Sequence, residues 1–252
     1  IDPQYSKTHP DIKAAMVLLS NVYQSNVKYE SVDKKELEVL TAINIGNAFY
    51  QSGHIISQLV FLENALSIYE KHSAIIDNYF YFLINFRMQK VYRRLGEYEK
   101  AFNCLKRTEK YLLENPNDYL KIDYLYDLQD AYTDINQTSQ MFPTLDQGIQ
   151  LAEKVQYRIE DFYSMKIKML LANNQIQEAK ALLTSLESKR FGGNILKFEN
   201  LDLAVIKAVI AGYQGNRTES NRLFENAHFV LKNELENNWQ PAVFLLNWEA
   251  TI

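Results

Sequence analysis

Tyr50-Gln51-Ser52-Gly53-His54-Ile55, Arg93-Arg94-Leu95-Gly96-Glu97-Tyr98 and Thr133-Asp134-Ile135-Asn136-Gln137-Thr138 are three copies of one helix–turn–helix join. Weaker copies follow at Ala172-Asn173-Asn174-Gln175-Ile176 and Tyr213-Gln214-Gly215-Asn216-Arg217. The turn residues Gly53, Gly96, Asn136, Asn174 and Gly215 lie 43, 40, 38 and 41 positions apart. Gly and Asn are the types that tolerate a left-handed backbone just past a helix end. A join repeated at a near-constant period predicts stacked helical hairpins, each burying its apolar face against its neighbours.

Outward from the turns, the spacing predicts helix pairs over about 33–51 and 55–71, 75–94 and 98–113, 118–135 and 139–155, 157–173 and 176–188, and 197–214 and 217–236. Asp33 and Glu36 have the spacing of a capping box, as do Asn216 and Glu219. Within the second helix of a pair, apolar residues fall three and four apart. Leu59, Leu62, Ala65, Leu66 and Tyr69 show it, as do Ala101, Leu105, Thr108 and Tyr111, and Ala179, Leu183 and Leu186. That is one buried stripe per helix. Residues 1–33, with an apolar-striped helix at 10–25, read as an N-terminal cap or half-repeat. Residues 34–236 read as one continuous array, broken only at Arg190-Phe-Gly-Gly-Asn194. Residues 237–252, with Trp239 and Trp248, read as a C-terminal helix cut short, so the chain is expected to be a piece of a larger protein.

Composition narrows the function. Hydrophobic residues are 47%, with 17 Tyr and 13 Phe, enough for a continuous core, whereas 8 Gly and 5 Pro are few for an all-β fold. A formal net charge of −4 argues against direct nucleic-acid binding. Cys104 is the only cysteine, which excludes a disulfide framework and a cysteine-rich zinc site. It reads as a buried helical thiol and fits the cytoplasm, with a periplasmic or other extracytoplasmic sensor region as the alternative. No apolar run is long enough to insert in a membrane. His9, His54, His72 and His228 are scattered without a metal or nucleophile pattern, so no catalytic residue, metal ligand or cofactor is expected. Tyr79-Phe80-Tyr81-Phe82 with Phe86 reads as core between repeats.

The pattern resembles the tetratricopeptide repeat family. Ile45-Gly46, Phe49, Gly53, Ile55, Leu62 and Ala65 stand at the family's Leu-Gly, aromatic, Gly, aromatic, large-apolar and Ala positions. Tyr92, Gly96, Tyr98, Ala101 and Leu105 carry it in the second repeat. The resemblance spans residues 34–236, with a period longer than the family's usual thirty-four or so. Such long periods are similar to those of tetratricopeptide-like arrays in bacterial signalling proteins, peptide-pheromone receptors among them. The resemblance implies an all-α, right-handed superhelical array of about five hairpins. It also implies a non-catalytic protein- or peptide-binding module, the sensory or scaffold region of a bacterial signalling or transcription-regulating protein, with homodimerisation open. The Lys/Asn carboxylate clamp of chaperone-tail-binding members is not reproduced, because Ile43 stands where its first Lys belongs.

In such arrays the first helix of each pair lines the concave groove. The stripe expected there is Leu40, Asn44, Asn47 and Gln51, then Leu83, Arg87, Lys90 and Arg94, then Asp123, Asp127, Asp130 and Asp134. Asp161, Met165, Lys168 and Ala172 continue it, followed by Asp202, Ile206, Val209 and Tyr213. Amides at Asn44, Asn47 and Gln51 offer donors and acceptors to an extended backbone, and Arg87 and Arg94 suit carboxylates. Like charges at helical spacing repel, so the four aspartates need compensation, and the neighbouring basic stripe is the nearest source. Two other readings stand beside ligand recognition. The cations and aspartates pair with each other in a purely structural or oligomerising array, or the aspartates bind a divalent cation in an enzyme.

Overall fold

The computed structural model describes residues 32–51, 53–188 and 197–234. The end helices expected at 10–25 and 237–252, the break at Arg190 to Asn194 and both tryptophans lie outside the described residues. Among these residues the chain is all α-helix. In order the helices are α1 (Val32–Gln51), α2 (Ile55–His72), α3 (Asn78–Arg94), α4 (Tyr98–Glu114), α5 (Asp118–Asp134), α6 (Thr138–Val155), α7 (Ile159–Ala172), α8 (Ile176–Ser188), α9 (Lys197–Tyr213) and α10 (Arg217–Glu234). Two compact units divide the chain, Ile1–Thr138 and Ser139–Ile252.

All five turn residues adopt the left-handed backbone the spacing demands. Gly53, Gly96 and Gly215 have φ of 79°, 74° and 77°, and Asn136 and Asn174 have 54° and 58°. Each also closes the same hydrogen-bond pair. Gly96 N–H donates to Arg93 O at 3.0 Å while Glu97 N–H reaches back to Tyr92 O at 2.8 Å. His54 and Phe49, Gln137 and Tyr132, Gln175 and Leu170, and Asn216 and Ala211 repeat the longer bond at 2.9–3.0 Å. This is the Schellman arrangement, which satisfies carbonyls that a helix end leaves open.

Helix starts follow local chemistry. Asp77 Oδ1 accepts from Tyr79 N–H at 2.7 Å, so α3 begins at Asn78 instead of residue 75. Asn117 Oδ1 accepts from Leu120 N–H at 3.1 Å and opens α5. α1 begins at Val32, ahead of Asp33, whose side chain lies outside the described residues, and Glu36 Oε1 accepts from Asp77 N–H at 3.1 Å. At Asn216 half of the box forms. Its Oδ1 accepts from Glu219 N–H at 3.3 Å, while the Glu219 carboxylate turns to Arg222.

In the first unit α1 and α2, then α3 and α4, form antiparallel hairpins, and α5 packs on α4. The second-helix stripes point inward as expected: Leu62, Ala65, Ala101, Leu105 and Thr108 are buried. They close over Val39, Ala42, Ile43, Ile84, Met88 and Val91 from the first helices. Each fully buried leucine stabilises the fold by about 1.5–3 kcal/mol, so this interlock dominates local stability. The aromatic run is largely core, with Phe82 stacked on Phe86 at 5.6 Å and beside Tyr111 at 4.9 Å, and Tyr81 stacked on Tyr69 at 5.2 Å. Cys104 is buried, and burial pushes its thiol up to about 11, which removes thiolate reactivity at neutral pH. In the second unit α7 and α8, then α9 and α10, pair as hairpins, and α7 lies beside α9. Phe162, Ile167, Leu171, Ala179, Leu186 and Leu201 form its interior.

Candidate functional site

The first helices of the first unit lie side by side, α1 against α3 and α3 against α5. Their charges are segregated. α3 carries Arg87, Lys90, Arg93 and Arg94 and no carboxylate; α5 carries Asp118, Asp123, Asp127, Asp130 and Asp134 and a single lysine, Lys121. Aspartates near the C-terminal end of a helix oppose its dipole, and α5 has no basic residue in its last turn to offset them. The offset comes from α3. Lys90 Nζ pairs with Asp127 Oδ1 at 3.0 Å, and Gln89 Nε2 donates to Asp127 Oδ2 at 2.9 Å. Arg93 Nε donates to Asp134 Oδ2 at 2.5 Å and its Nη1 to Asp130 Oδ2 at 3.4 Å.

Burial sets the electrostatics of this seam. Asp127 is only 2% exposed, and desolvation pushes its carboxyl up to about 6, although Lys90 pulls the other way. Desolvation raises Asp130 too, against the pull of Arg93. Burial works against the charge on Arg93, but its hydrogen bond to Asp134 and the Asp130 charge outweigh that and hold the guanidinium above its ordinary value. Arg93→Ala strips a largely buried partner from two aspartates, and an expected loss of about 1–3 kcal/mol follows from leaving them unpaired. Arg94→Ala is expected to cost less than about 1 kcal/mol, because Arg94 is exposed. Urea denaturation of the two variants side by side checks the contrast.

The other side of α3 is different. Arg94 Nη2 donates to the Tyr50 hydroxyl at 2.6 Å, and its guanidinium lies 4.0 Å over that ring. Arg87 is half-buried, and its Nε is fully buried with no hydrogen-bond partner. On α1, Asn44 is exposed and Asn47 half-buried. Gln51 closes the helix, and its side chain lies outside the described residues. On α1, Glu36 and Glu38 are engaged elsewhere, Glu36 with Asp77 N–H and Glu38 with Lys35 at 3.1 Å.

Of the ten residues singled out from sequence, the structure joins Lys90 to Asp127 directly. Asp130 and Asp134 meet Arg93, not Arg87 or Arg94, and Asp123 is half-buried further up α5. Gln89, Arg93 and Tyr50 were missed. The signal for Arg93 was its separation of 41 residues from Asp134, one repeat on, which matches the period of the turns.

In the second unit the expected stripe changes character. Asp161 accepts from Arg158 Nε at 2.6 Å, and Ala172 is exposed. Ile206 and Val209 do not line a groove; both are buried, because α9 uses that face to pack on its neighbours, whereas Tyr213 stands exposed. Phe142, Leu170 and Leu182 line an apolar cavity of about 670 Å³ beside the ion pair of Lys166 with Asp146. Among the described residues no group of three His, Cys, Asp or Glu side chains is placed to hold a metal ion. No described helix is long and apolar enough to cross a membrane.

No protein-family model and no curated protein sequence matches the chain. Solved structures do. The chain is similar to BtubC (BKLC) from P. vanneervenii, with a TM-score of 0.71, 10% identity, and coverage of 91% of this chain and 93% of that one. A putative kinesin light chain from Podosopora anserina with nearly identical TPR-like repeats gives 0.59 at 16% identity, covering 78% of this chain and 96% of that one. The quorum sensor NprR from B. thuringiensis in its apo form gives 0.65 at 16% identity, covering 96% of this chain and 66% of that one. NprR in complex with its cognate peptide NprX gives 0.64 at 15% identity, covering 96% and 68%. Five left-handed turns, helices paired about four of them within the two units and these likenesses give the chain the tetratricopeptide-repeat fold, all α-helical.

Proposed function

We propose that the chain is a non-catalytic protein- or peptide-binding module, the sensory or scaffold region of a larger bacterial signalling or transcription-regulating protein. One observation carries the reading. On adjacent helices α1 and α3, Asn44 and Asn47 precede Tyr50 at helical spacing, Tyr50 holds Arg94, Arg87 lies two turns before Arg94, and among the described residues neither arginine pairs with a carboxylate. Amides and guanidinium groups at that spacing suit an extended peptide backbone and its acidic groups. The likeness to a peptide-bound quorum sensor supports the same reading at the level of fold. The partner is a protein or peptide segment rather than nucleic acid, in keeping with the net charge of −4.

The test is a peptide array probed with the labelled chain and with Asn44→Ala/Asn47→Ala. Losing two backbone-facing amides is expected to weaken retained peptides by about tenfold, roughly 1.4 kcal/mol, with an unchanged melting temperature. Peptides held equally well by the variant would place recognition elsewhere. The paired seam favours a second reading, a structural or oligomerising array whose charges satisfy each other. Charge reversal at Arg87 and Arg94 separates the two. Lost binding at constant stability belongs to recognition, whereas lost stability or a changed sedimentation coefficient belongs to assembly.

A further inference from the structure

In sequence, the face offers cations on α3 and anions on α5, and such a face would select a ligand carrying both signs. The structure makes the two helices unequal. Asp127 is buried and closed off by Gln89 and Lys90, and Asp130 and Asp134 are bridged by Arg93. Lys90 and Arg93 are consumed in the same contacts. Three of the aspartates are thereby committed within the fold, and so are two of the four α3 cations.

Arg87 and Arg94 are left. The Arg87 side chain is half-buried and its Nε is closed off without an acceptor, so among the described residues no carboxylate is paired with its charge. Arg94 is held in place by the Tyr50 ring and its neutral hydroxyl, which orients the guanidinium without cancelling its charge. Seven residues separate the two arginines, so on α3 they stand about 10 Å apart along one face at 1.5 Å per residue. Acidic side chains three residues apart in a polyproline-II segment lie about 9 Å apart and on one side of that segment.

We propose that this face selects an acidic segment, with two carboxylates spaced by three residues, one bound by Arg87 and the other by Arg94. The proposal rests on reading the face as a peptide-binding surface. It adds a sign and a spacing to that reading. Asn44 and Asn47 hold the backbone between the two ion pairs, and the α5 aspartates make no contact with the ligand.

The experiment uses the whole chain and an array of ten-residue peptides of otherwise varied sequence. Two positions are fixed as Glu-x-x-Glu, as Gln-x-x-Gln, as Lys-x-x-Lys, or as a Glu pair spaced by five residues. The Glu-x-x-Glu set is expected to bind at least about tenfold more tightly than the Gln set, from one or two charge-assisted hydrogen bonds. That advantage disappears in Arg94→Gln, an exposed substitution that leaves the melting temperature in place, and in Arg87→Gln. It also shrinks with rising salt. Gln peptides that bind as well as Glu peptides, with affinity lost in Asn44→Ala/Asn47→Ala, overturn the acidic selection while peptide binding stands. A preference for the Lys set overturns it too, since the aspartates would then be available. Equal binding of both Glu spacings refutes the two-arginine geometry. Retention of no set overturns the peptide-binding reading itself.

Discussion

Gly148→Ala is expected to destabilise the second unit by about 3 kcal/mol, the upper part of the range for overpacking a close-packed interior. Gly148 lies in α6 facing Phe162 of α7, and an added Cβ would stand 2.1 Å from Phe162 Cε1 and 2.3 Å from Cδ1. Phe162 has no exposure through which to retreat. The better helix propensity of alanine returns only about 1 kcal/mol. Gly46 of α1 is the internal control. A Cβ there would meet Gln58 O at 3.4 Å and Phe61 Cβ at 3.6 Å, near ordinary contact, so Gly46→Ala should stay within about 1 kcal/mol of the parent. Urea midpoints measure both. Phe162→Leu added to Gly148→Ala should recover part of the loss, since smaller side chains relieve the overlap and the two sites are in contact. An unchanged midpoint for Gly148→Ala would show that α6 and α7 do not pack at this distance.

Acidification from pH 7 to pH 4.5 is expected to relieve the seam at Asp127 instead of breaking it. Burial pushes its carboxyl from the ordinary aspartate range up to about 6 in the fold. A group raised on folding binds its proton more tightly in the native state. Its contribution is therefore fully present below the unfolded value and is lost as pH rises through about 6. Across that window the term is worth about 2 kcal/mol, opposite in sign to the usual effect of paired carboxylates. The difference between the parent chain and Asp127→Asn isolates it from every other carboxylate. Asparagine keeps an acceptor for Gln89 and has nothing to titrate, so the variant should gain on the parent at pH 7 and lose that advantage by pH 4.5. Lys90 remains partly exposed and can turn to water when its partner is neutral. Parallel stability profiles for the two chains would mean that Asp127 ionises as freely in the fold as in the unfolded chain.

The same aspartate explains how a charged seam can hold two repeats together at modest net gain. Two charges taken from water pay a desolvation cost close to what their attraction returns. Gln89 and Lys90 satisfy both oxygens of Asp127, which avoids the larger cost of an unpaired buried charge. The seam therefore fixes which helix faces meet more than it adds stability. That division leaves Arg87 and Arg94, toward the α1 side of α3, outside the seam.

Most of the fold was legible in the sequence because its determinants are local. Gly53, Gly96, Asn136, Asn174 and Gly215 each had to be a residue that tolerates positive φ, and each turn sets the start of the next helix within a few residues. The apolar stripes of α2, α4 and α8 were equally plain, since those helices bury one face. Charge partners were not legible. A period of 3.6 falls between three and four, so spacing from Lys90 alone could not say whether Arg93 or Arg94 continues the row. Tertiary packing decided it, sending Arg93 toward Asp130 and Asp134 on α5 and Arg94 toward Tyr50 on α1. Ile206 and Val209 failed as groove residues for a related reason: α9 buries more than one face, and no pattern in its own residues says which neighbour covers each. The sequence determined the hairpins, their turns and the segregation of charge onto α3 and α5. Only the tertiary structure decided which charges neutralise one another and which two arginines do not, because ion pairing depends on distances between helices a full repeat apart.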